Sequence, residues 1–250
     1  MTEPKQYPSV GVITATTGKG CLREAFMSVR DQRGYTGTIT HHLVYDGPEA
    51  GARQLIFEGR RDPEKLTTFI LPEATGKNDY LCHRIYSALP LLVNQDYLMF
   101  LDDDNQFTRD HISTMMNFIL DNNLHWAHSL RIIVDEYGNE IPDNCESLGD
   151  VTGWRNYRLV DTNCFCVKRE LLTQVSYLMH RQTRRPGVEE ADRILSRILM
   201  TTPGVRFGGT GKHTVRYHLG SNDYSVKKEF FIEGNKLMKT QPTQYTKEVQ

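Results

Sequence analysis

The sequence predicts an α/β fold, with a mixed, mostly parallel central sheet flanked by helices in a single domain. Short β-rich runs alternate with helix-spaced apolar segments through the first 120 residues, which is typical of parallel strands joined by crossover helices. The second half contains two strands around a turn at 136–139, so we expect antiparallel pairing there. A chain of 250 residues is long enough for one large α/β domain with a full core.

Four strands are predicted in the first half of the chain, and each ends in a polar or glycine-containing loop. In chain order they cover residues 9–15, 39–45, 67–71 and 97–101. One helix is predicted at 21–32, and a second at 80–93 has a kink at Pro90. The apolar residues of the first helix recur three and four positions apart, at Leu22, Ala25, Phe26 and Val29.

The second half of the chain mixes strands with helices. Strands are predicted at 126–134, 140–141, 161–168 and 213–219. Helices are predicted after Asp110, at 169–180 and at 189–200, where apolar residues again follow helical spacing. We expect one domain over residues 1–240, followed by a polar tail at 241–250.

The charge balance and the distribution of apolar residues exclude some classes of protein. Lys and Arg total 30 and Asp and Glu total 31, which gives no electrostatic reason to expect nucleic acid as a partner. The first residues lack a basic region followed by an apolar stretch, and no apolar run is long enough to cross a bilayer. We therefore expect a cytoplasmic protein with no transmembrane segment.

The five cysteines are odd in number and scattered, which is typical of reduced thiols rather than of a disulfide framework. Cys164 and Cys166 form a CxC pair that the alternation of a strand places on one face. They are interpreted as two small core residues. The alternative is a soft-metal site, but no paired CxxC supports zinc.

Three consecutive carboxylates follow an apolar strand in YLMFLDDDN, where Asp102, Asp103 and Asp104 come directly after Leu101. Adjacent carboxylates repel one another, so the cluster is unfavourable beside a buried strand unless a cation lies there. Mg²⁺ and Mn²⁺ suit such oxygens, because they bind one or two protein carboxylates together with water and phosphate oxygens. A solvated acidic turn is the alternative. Ligands bind at the carboxyl ends of strands in open α/β sheets, which favours a metal site.

The loop Thr17-Gly18-Lys19-Gly20 lies between a strand and a helix, where a phosphate-binding loop is expected. It fits neither common nucleotide motif. Ile13 stands where the triphosphate-binding motif needs its first glycine, and Gly20 stands where that motif needs serine or threonine. Arg23 follows where the dinucleotide motif needs its third glycine. The loop alone is therefore a weak indication of a nucleotide.

Four segments, in this order, resemble the inverting nucleotide-sugar glycosyltransferases of family 2, whose catalytic domain has the GT-A (Rossmann-like) fold. They are VGVITATT, HLVYDG, YLMFLDDDNQFTRDHI and GVEEADRILSRIL. The third contains the DxD metal motif and is the only one that is specific by itself. The resemblance covers about residues 8–220, and it implies a nucleotide-binding part at about 8–105 and an acceptor part at about 106–220.

The resemblance also implies which residues contact the nucleotide sugar. Thr14, Ala15 and Thr16 would line the base and ribose, and Asp46 would accept a hydrogen bond from one of them. Where the family has two acids before a glycine, this chain has Tyr45 and Asp46, so a base stacked on Tyr45 is one alternative.

Arg84 is the best match to a basic residue that faces the nucleotide in the family, and Lys77 is the second. A solvent-facing role is the alternative for Arg84.

The acidic triplet would act as Asp102-x-Asp104. Asp104 would be the direct ligand of the divalent metal, and Asp102 would lie nearer the ribose or sugar while contributing to the same site. Asp103 can replace either by one register step. His218, in VRYHLGSND, would be a third metal ligand, as in some relatives, and a surface position is the alternative. The implied cofactor is Mn²⁺ or Mg²⁺.

Asp192 would be the general base that removes the proton of the acceptor hydroxyl, with Glu190 and Glu189 as competing candidates. A helix start also favours acidic residues through its dipole alone. Trp154 and Asp161 would flank the acceptor, because aromatic faces pack on sugar rings and carboxylates accept hydrogen bonds from hydroxyl groups. Core packing is the alternative for Trp154.

These assignments together imply a metal-dependent inverting glycosyltransferase. It would move a sugar from a nucleotide-diphosphate sugar, by default a UDP-sugar, to a hydroxyl of a saccharide or of a lipid-linked acceptor, in glycan or polysaccharide synthesis. The alternatives are a sugar-1-phosphate nucleotidyltransferase and a non-catalytic module that binds a nucleotide sugar or a glycan.

Overall fold

A mixed sheet of nine strands organises the described part of the chain. The computed structural model describes residues 7–51, 65–146, 159–181, 191–220 and 226–240. The strands are β1 (Val10–Thr16), β2 (Ile39–Tyr45), β3 (Leu66–Ile70), β4 (Tyr97–Phe100), β5 (Gln106–Phe107), β6 (Trp126–Val134), β7 (Glu140–Pro142), β8 (Phe165–Lys168) and β9 (Phe207–His218). The helices are α1 (Leu22–Arg30), α2 (Pro48–Gly51), α3 (His83–Ala88), α4 (His111–Asp121), α5 (Arg169–Val175), α6 (Ala191–Thr201) and α7 (Lys228–Thr240).

The first half of the sheet consists of β3, β2, β1 and β4, and all its strands are parallel. β1 lies between β2 and β4, with Val10 opposite both Ile39 and Tyr97. Parallel neighbours need crossover connections, and α1, α2 and α3 lie in the three connections. The four strands therefore end at the same side of the sheet, which we call the carboxyl edge.

The second half of the sheet consists of β8, β6, β9 and β5, with β7 paired to β6. β8 is antiparallel to β4 and β6, β5 is antiparallel to β9, and β7 is antiparallel to β6. β6 and β9 are parallel, with register shifts around Leu130. This architecture confirms the predicted α/β class with a mixed sheet.

The core lies on both sides of the central strands. Every residue of β1 and β4 is buried, as expected for parallel strands that are covered on both faces. α1 buries the four residues whose spacing predicted it, Leu22, Ala25, Phe26 and Val29. α4 packs against β6 and β9 and buries a similar stripe, which includes Ile112, Met115, Met116 and Ile119.

The predicted elements that differ from the structure do so for physical reasons. The helix predicted at 80–93 is shorter, because α3 ends before Pro90 and the chain continues as a 3-10 turn at Leu89–Leu91. Proline has no N–H and cannot continue an α-helix. The strand predicted at 161–168 begins only at Phe165, because Thr162–Cys164 form a 3-10 turn capped by Asp161.

Three elements were not predicted, namely α2, β5 and α7, and α2 has only four residues. β5 has only two residues, which is too short to show a pattern. α7 buries Phe231 and Gly234, and its other residues are mostly polar or exposed. The predicted tail at 241–250 lies outside the described residues. Cys164 and Cys166 are fully buried, which confirms that they are core residues.

None of the helices in the described ranges combines the length and the apolar character that crossing a membrane requires.

Candidate functional site

Polar residues gather at the carboxyl edge, where β1, β2 and β4 end. β1 ends at Thr16 and β4 ends just before Leu101 and the acidic triplet. These strands are parallel neighbours, so the loops that follow them lie side by side. The N–H of Asp46, which follows β2, donates to the carbonyl oxygen of Thr16 at 2.9 Å. The three loops therefore form one polar edge.

Asp102 is held by protein donors on both carboxylate oxygens. The hydroxyl of Tyr86 donates to Oδ1 at 2.8 Å, and Nδ2 of Asn163 donates to Oδ2 at 2.8 Å. The N–H of Asp102 itself donates to Oδ1 of Asn163 at 2.6 Å. The thiol of Cys82 lies 3.9 Å from Oδ1. Side chains from α3 and from the turn before β8 thus fix the orientation of Asp102.

The surroundings of Asp102 are short of positive charge. Its pKa is raised to about 7, chiefly by burial and further by the charges of Asp104 and Asp161. Hydrogen bonds from Asn163 and Tyr86 act in the opposite direction without cancelling the shift. A cation beside the carboxylate would reverse it.

Asp103 turns toward the loop after β1. The Thr16 hydroxyl donates to its Oδ2 at 2.7 Å, and Nζ of Lys19 lies 3.7 Å from its Oδ1. Burial raises the pKa of Asp103, whereas Lys19 and Thr16 lower it. Thr16 also accepts the N–H of Gly18 at 2.9 Å. Asp103 therefore joins the triplet to the loop after β1, and its contact with a nucleotide sugar stays a prediction.

Asp104 is different, because its partly exposed carboxylate has no hydrogen bond or ion pair with any residue of the described ranges. His218 is tied to the same loop, since its N–H donates to Oδ1 of Asn105 at 3.0 Å. The pKa of His218 is lowered by burial and by Arg216, while the charge of Asp104 acts to raise it. Nε2 of His218 is buried and unpartnered within the described structure.

Asp102 and Asp104 suit a metal site that substrate and water complete better than a site closed by protein ligands alone. In the part of the chain that is described, no group of three or more His, Cys, Asp and Glu side chains is close enough together to hold a metal ion. A closed cage made of protein ligands is thus absent from those ranges. Mg²⁺ and Mn²⁺ do not need one when a substrate phosphate and water complete their coordination, and the carboxylates of Asp102 and Asp104 fit that kind of site.

Thr14, Ala15 and Thr16 are all buried in β1. Thr14 is fully enclosed, and its Oγ1 lies 2.9 Å from Nε2 of His41 in β2. The hydroxyl of Thr14 is therefore committed to the interior of the sheet, and the contact of this residue with the base and ribose stays a prediction. The contacts predicted for Ala15 and Thr16 stay predictions.

Asp46 shapes the loop after β3. Its Oδ1 accepts the N–H and the hydroxyl of Thr75 at 2.6 and 2.9 Å, and its Oδ2 accepts the N–H of Gly76 at 2.8 Å. A Cβ at position 76 would lie 2.6 Å from the carbonyl oxygen of Leu81, so only glycine fits this approach. Both oxygens of Asp46 have protein donors, and its contact with the base or ribose stays a prediction.

Tyr45 cannot stack on a base. Its side chain is fully buried and packs in a core cluster with Leu22, Phe26 and Leu43. The alternative suggested by the missing acid before Asp46 is therefore wrong.

Arg84 is exposed on α3 and braces the loop that Asp46 holds. Its guanidinium lies 3.4 Å above the ring of Tyr80, and Nη1 donates to the carbonyl oxygen of Thr75 at 3.3 Å. Lys77 is exposed on the same loop. Both cations stand beside the carboxyl edge, and their contact with a nucleotide stays a prediction.

Three solved structures of S. aureus TarS residues 1–349 are similar to this chain. The structure of TarS 1–349 alone has a TM-score of 0.61 at 14% identity, and the match covers 84% of this chain and 60% of that one. The complex with UDP-GlcNAc has a TM-score of 0.61 at 14% identity, covering 94% and 66%. The complex with UDP has a TM-score of 0.60 at 13% identity, covering 94% and 65%. The chain thus spans less than two thirds of the length of these structures.

At this level of identity the likeness concerns the fold alone. No protein-family model matches the sequence, and the comparison with curated proteins finds no match. The arrangement of strands and helices, together with the likeness to TarS, identifies the architecture. The chain has a GT-A glycosyltransferase fold.

Asp192 lies in the first turn of α6 in this GT-A fold. Its Oδ1 accepts the N–H of Arg193 at 2.7 Å. The Ser196 hydroxyl donates to the carbonyl oxygen of Asp192 at 2.8 Å and accepts the N–H of Val160 at 3.1 Å. The start of α6 is therefore fixed to the segment that leads to Asp161. The role of Asp192 as general base stays a prediction.

Glu189, Glu190 and Trp154 lie outside the described residues, so their predicted roles have no structural counterpart here.

Asp161 is buried, and both of its oxygens have protein donors. Oδ1 accepts the N–H and Nδ2 of Asn163 at 2.9 and 2.8 Å, and Oδ2 accepts Nη1 of Arg131 at 2.7 Å. The carboxylate therefore holds the turn before β8, and its predicted place beside the acceptor stays a prediction.

Sequence reasoning missed three residues that surround Asp102 and Asp161, namely Tyr86, Asn163 and Arg131. A signal existed for Arg131, which interrupts the buried strand WAHSLRIIV and therefore requires carboxylate partners. Tyr86 is fully buried beside Phe100 and resembles any core aromatic residue in the sequence. No pattern in the sequence marks Asn163.

Proposed function

We propose that this chain is a metal-dependent inverting glycosyltransferase of the family 2 type, which transfers a sugar from a nucleotide-diphosphate sugar to a hydroxyl acceptor. The observation that carries the proposal is the Asp104 carboxylate at the carboxyl edge of a GT-A sheet. It has no partner among the described residues, whereas Asp102 and Asp103 have protein donors. An unpaired carboxylate after a buried strand is available for a ligand.

A UDP-sugar is the proposed donor. The TarS structures that share the fold include complexes with UDP-GlcNAc and with UDP. In this chain the nucleotide would lie over the loops after β1 and β2, near Thr16 and Asp46. Lys77 on the neighbouring loop and Arg84 on α3 would supply positive charge to a ligand that carries two phosphates.

Mg²⁺ or Mn²⁺ is the proposed cofactor, with Asp104 as the direct ligand and with diphosphate oxygens and water completing the coordination. Asp102 and His218 would lie beside this site without forming a three-ligand set with Asp104. The raised pKa of Asp102 and the unpartnered Nε2 of His218 fit a cation at this position. When bound, such an ion would act as a Lewis acid on the diphosphate leaving group. Lys19, beside Asp103, would add a fixed positive charge at the same edge.

Asp192 is the proposed general base, with Glu190 as the competing candidate. It would take the proton from the acceptor hydroxyl while that oxygen attacks the anomeric carbon from the face opposite the diphosphate, which inverts the configuration. A carboxylate suffices because the hydroxyl becomes strongly acidic only as the new bond forms, and a positioned base contributes roughly 10²–10⁴-fold. A saccharide or a lipid-linked alcohol is the proposed acceptor, flanked by Trp154 and Asp161.

A thermal-shift comparison of nucleoside diphosphates tests the class of ligand. UDP is expected to raise Tm in the presence of Mn²⁺, because a ligand that binds only the folded state stabilises it by about 2.7 kcal/mol at 100 times Kd. EDTA is expected to abolish the shift. A shift with UTP and not with UDP would favour the nucleotidyltransferase, and no shift with any diphosphate would contradict the proposal.

The transfer itself is tested with Asp192→Asn. We expect turnover to fall by about 10²–10⁴-fold while the affinity for UDP is unchanged. Arg193→Gln, on the exposed next position of α6, is the matched control and should retain turnover. Unaltered turnover in Asp192→Asn would remove this residue from the role of base. The anomeric proton in the NMR spectrum of the first product reports inversion, and a retained configuration would refute the inverting mechanism.

A further inference from the structure

The side-chain amide of Asn163 contacts both the backbone N–H and the carboxylate of Asp102. Its Oδ1 accepts the N–H of Asp102 at 2.6 Å, and its Nδ2 donates to Oδ2 of Asp102 at 2.8 Å. The side chain of Asn163 is fully buried. One amide group therefore restrains the backbone and the side-chain rotation of Asp102 together.

The remaining N–H of that amide group is also used. Nδ2 of Asn163 donates to Oδ1 of Asp161 at 2.8 Å, and the backbone N–H of Asn163 donates to the same oxygen at 2.9 Å. The carbonyl end must face the N–H of Asp102, and the amino end must face two carboxylates. A flipped amide would lose all three side-chain contacts, so Asn163 has one allowed orientation.

Arg131 anchors the far side of this arrangement. Its Nη1 donates to Oδ2 of Asp161 at 2.7 Å, and its Nε and Nη2 donate to Oδ2 of Asp143 at 2.8 and 2.6 Å. The guanidinium also lies 4.8 Å from the ring of Tyr217 and 5.5 Å from that of Phe231. Asp161 is thus fixed by a buried cation, and it cannot rotate away from Asn163 without breaking its own bond to Nη1 of Arg131.

We propose that Asn163 is a positioning residue for Asp102, anchored by Asp161 and Arg131, and that it sets the direction in which the acidic triplet meets the metal–diphosphate end of the donor. This inference rests on the proposed function. Tyr86 holds only one oxygen of Asp102, so it cannot fix the plane of the carboxylate alone. Asn163 supplies the second oxygen contact and the backbone contact. Asp104 lies two residues further along the chain, so restraining the backbone of Asp102 also restrains the position of Asp104.

Asp143→Asn is the matched control for Asn163→Ala. Asp143 is fully buried and binds Arg131 in the same cluster, but the hydrogen bonds of its carboxylate within the described ranges go to Arg131, Cys145 and Glu146 and not to Asn163 or Asp102. A purely structural role for Asn163 predicts that both variants lose stability and that neither changes the triplet specifically. A positioning role predicts a loss that is confined to Asn163→Ala.

Two measurements separate these roles. The first is hydrogen exchange at the amide of Asp102 in the metal-free protein, which should become about tenfold faster in Asn163→Ala, the loss of one hydrogen bond, and should stay near the wild-type rate in Asp143→Asn. The second is UDP affinity with Mn²⁺ relative to UDP affinity in EDTA. We expect this ratio to fall by about 10–100-fold in Asn163→Ala, as for residues that orient metal ligands, and to be retained in Asp143→Asn.

The possible outcomes are distinct. If the Asn163→Ala protein keeps both the protection of the Asp102 amide and the Mn²⁺-dependent part of UDP binding, the positioning role is refuted while the proposed function stands. If the wild type shows no Mn²⁺-dependent UDP binding, the proposed function fails and this inference with it. Asn163→Ser, which keeps a small polar side chain but cannot span Asp102 and Asp161, gives the same comparison if the alanine variant does not fold.

Discussion

The two halves of the sheet place their charges differently. In the first half, charged side chains follow the ends of strands, as Asp46 and Asp103 do, or stand on exposed surface, as Arg84 does. In the second half, Arg131 lies within β6, is only 4% exposed and binds the buried carboxylates of Asp143 and Asp161. In the first half the charges thus lie at the sheet edge or on the surface, and Asp104 and Arg84 are at least partly exposed there. In the second half, the buried charges of Arg131, Asp143 and Asp161 bind one another.

This difference has an energetic meaning. A buried ion pair adds little to stability overall, because the desolvation of its charges offsets their attraction, but removing one partner leaves an uncompensated charge in the interior. An exposed charge costs little to remove because water replaces its partner. The second half should therefore be sensitive to substitution in its stability, and the first half in its ligand binding.

The largest expected effect breaks the cluster of the second half. Arg131→Met leaves Asp143 and Asp161 buried without their cation, so we expect the free energy of unfolding to fall by about 3–5 kcal/mol. Arg84→Met, on exposed α3, should change it by no more than about 0.5 kcal/mol. Guanidinium chloride unfolding measures both, and equal losses would contradict the contrast between the two halves.

The next effect is a loss of ligand binding with no loss of protein stability. Asp104→Asn should weaken Mn²⁺-dependent UDP binding by more than about 100-fold, beyond the usual effect of residues that only orient a ligand. Its free energy of unfolding should stay within about 0.5 kcal/mol of wild type, because the carboxylate has no partner in the described ranges. Isothermal titration gives the affinity. Asp121→Asn, an exposed carboxylate at the end of α4, serves as control, and a similar loss there would point to a general charge effect.

A smaller effect sharpens the role of Asp46. Asp46→Ala leaves the N–H groups of Thr75 and Gly76 without their acceptor, so we expect a loss of stability of about 1–3 kcal/mol. Glu49→Ala, on exposed surface three residues later, should be nearly neutral. Thermal unfolding and UDP affinity should be measured together. Weaker UDP binding with unchanged stability would make Asp46 a ligand contact rather than an anchor of the loop.

The smallest effect is a pH dependence from the second half. Burial lowers the pKa of His111 to about 3 and that of His128 to about 4, whereas a histidine in the unfolded chain titrates near 6.5. As the pH falls through 6.5, these histidines bind protons in the unfolded state but stay neutral in the folded state. The free energy of unfolding therefore decreases as the pH falls from 7.5. We expect about 1 kcal/mol per histidine between pH 7.5 and 6.

Denaturant unfolding at several pH values checks this dependence. His111→Asn should remove the contribution of one histidine, and so reduce the change in the free energy of unfolding with pH. An unchanged pH dependence would show that His111 is not neutral in the folded state.

The sequence predicted the first half of the sheet well because its signals are local. The run at 39–45 matches β2, and the four apolar positions of the helix at 21–32 are the four that α1 buries. The position of the acidic triplet at the end of β4 was likewise predictable, because a strand that ends in charge must end at an edge.

Side-chain directions were less predictable. β1 is buried on both faces, so Thr14 is enclosed whichever side it faces, and family resemblance gives a residue's place in the chain without giving its exposure. The contacts around Asp102 involve Asn163, 61 residues away, and Arg131 meets Asp161 across 30 residues. Polar contacts at such separations leave no periodic pattern. α7 escaped prediction because its buried stripe is only Phe231 and Gly234.

The place of β9 in the sheet bears on how the protein emerges from the ribosome. β9 lies between β6 and β5. The backbone N–H of His218, at the end of β9, donates to the side chain of Asn105, which precedes it by 113 residues. The loop that carries the aspartates is therefore translated long before the strand that closes over it. Until then, nascent chains expose an open strand edge on β6, and we expect them to rely on chaperones during that interval.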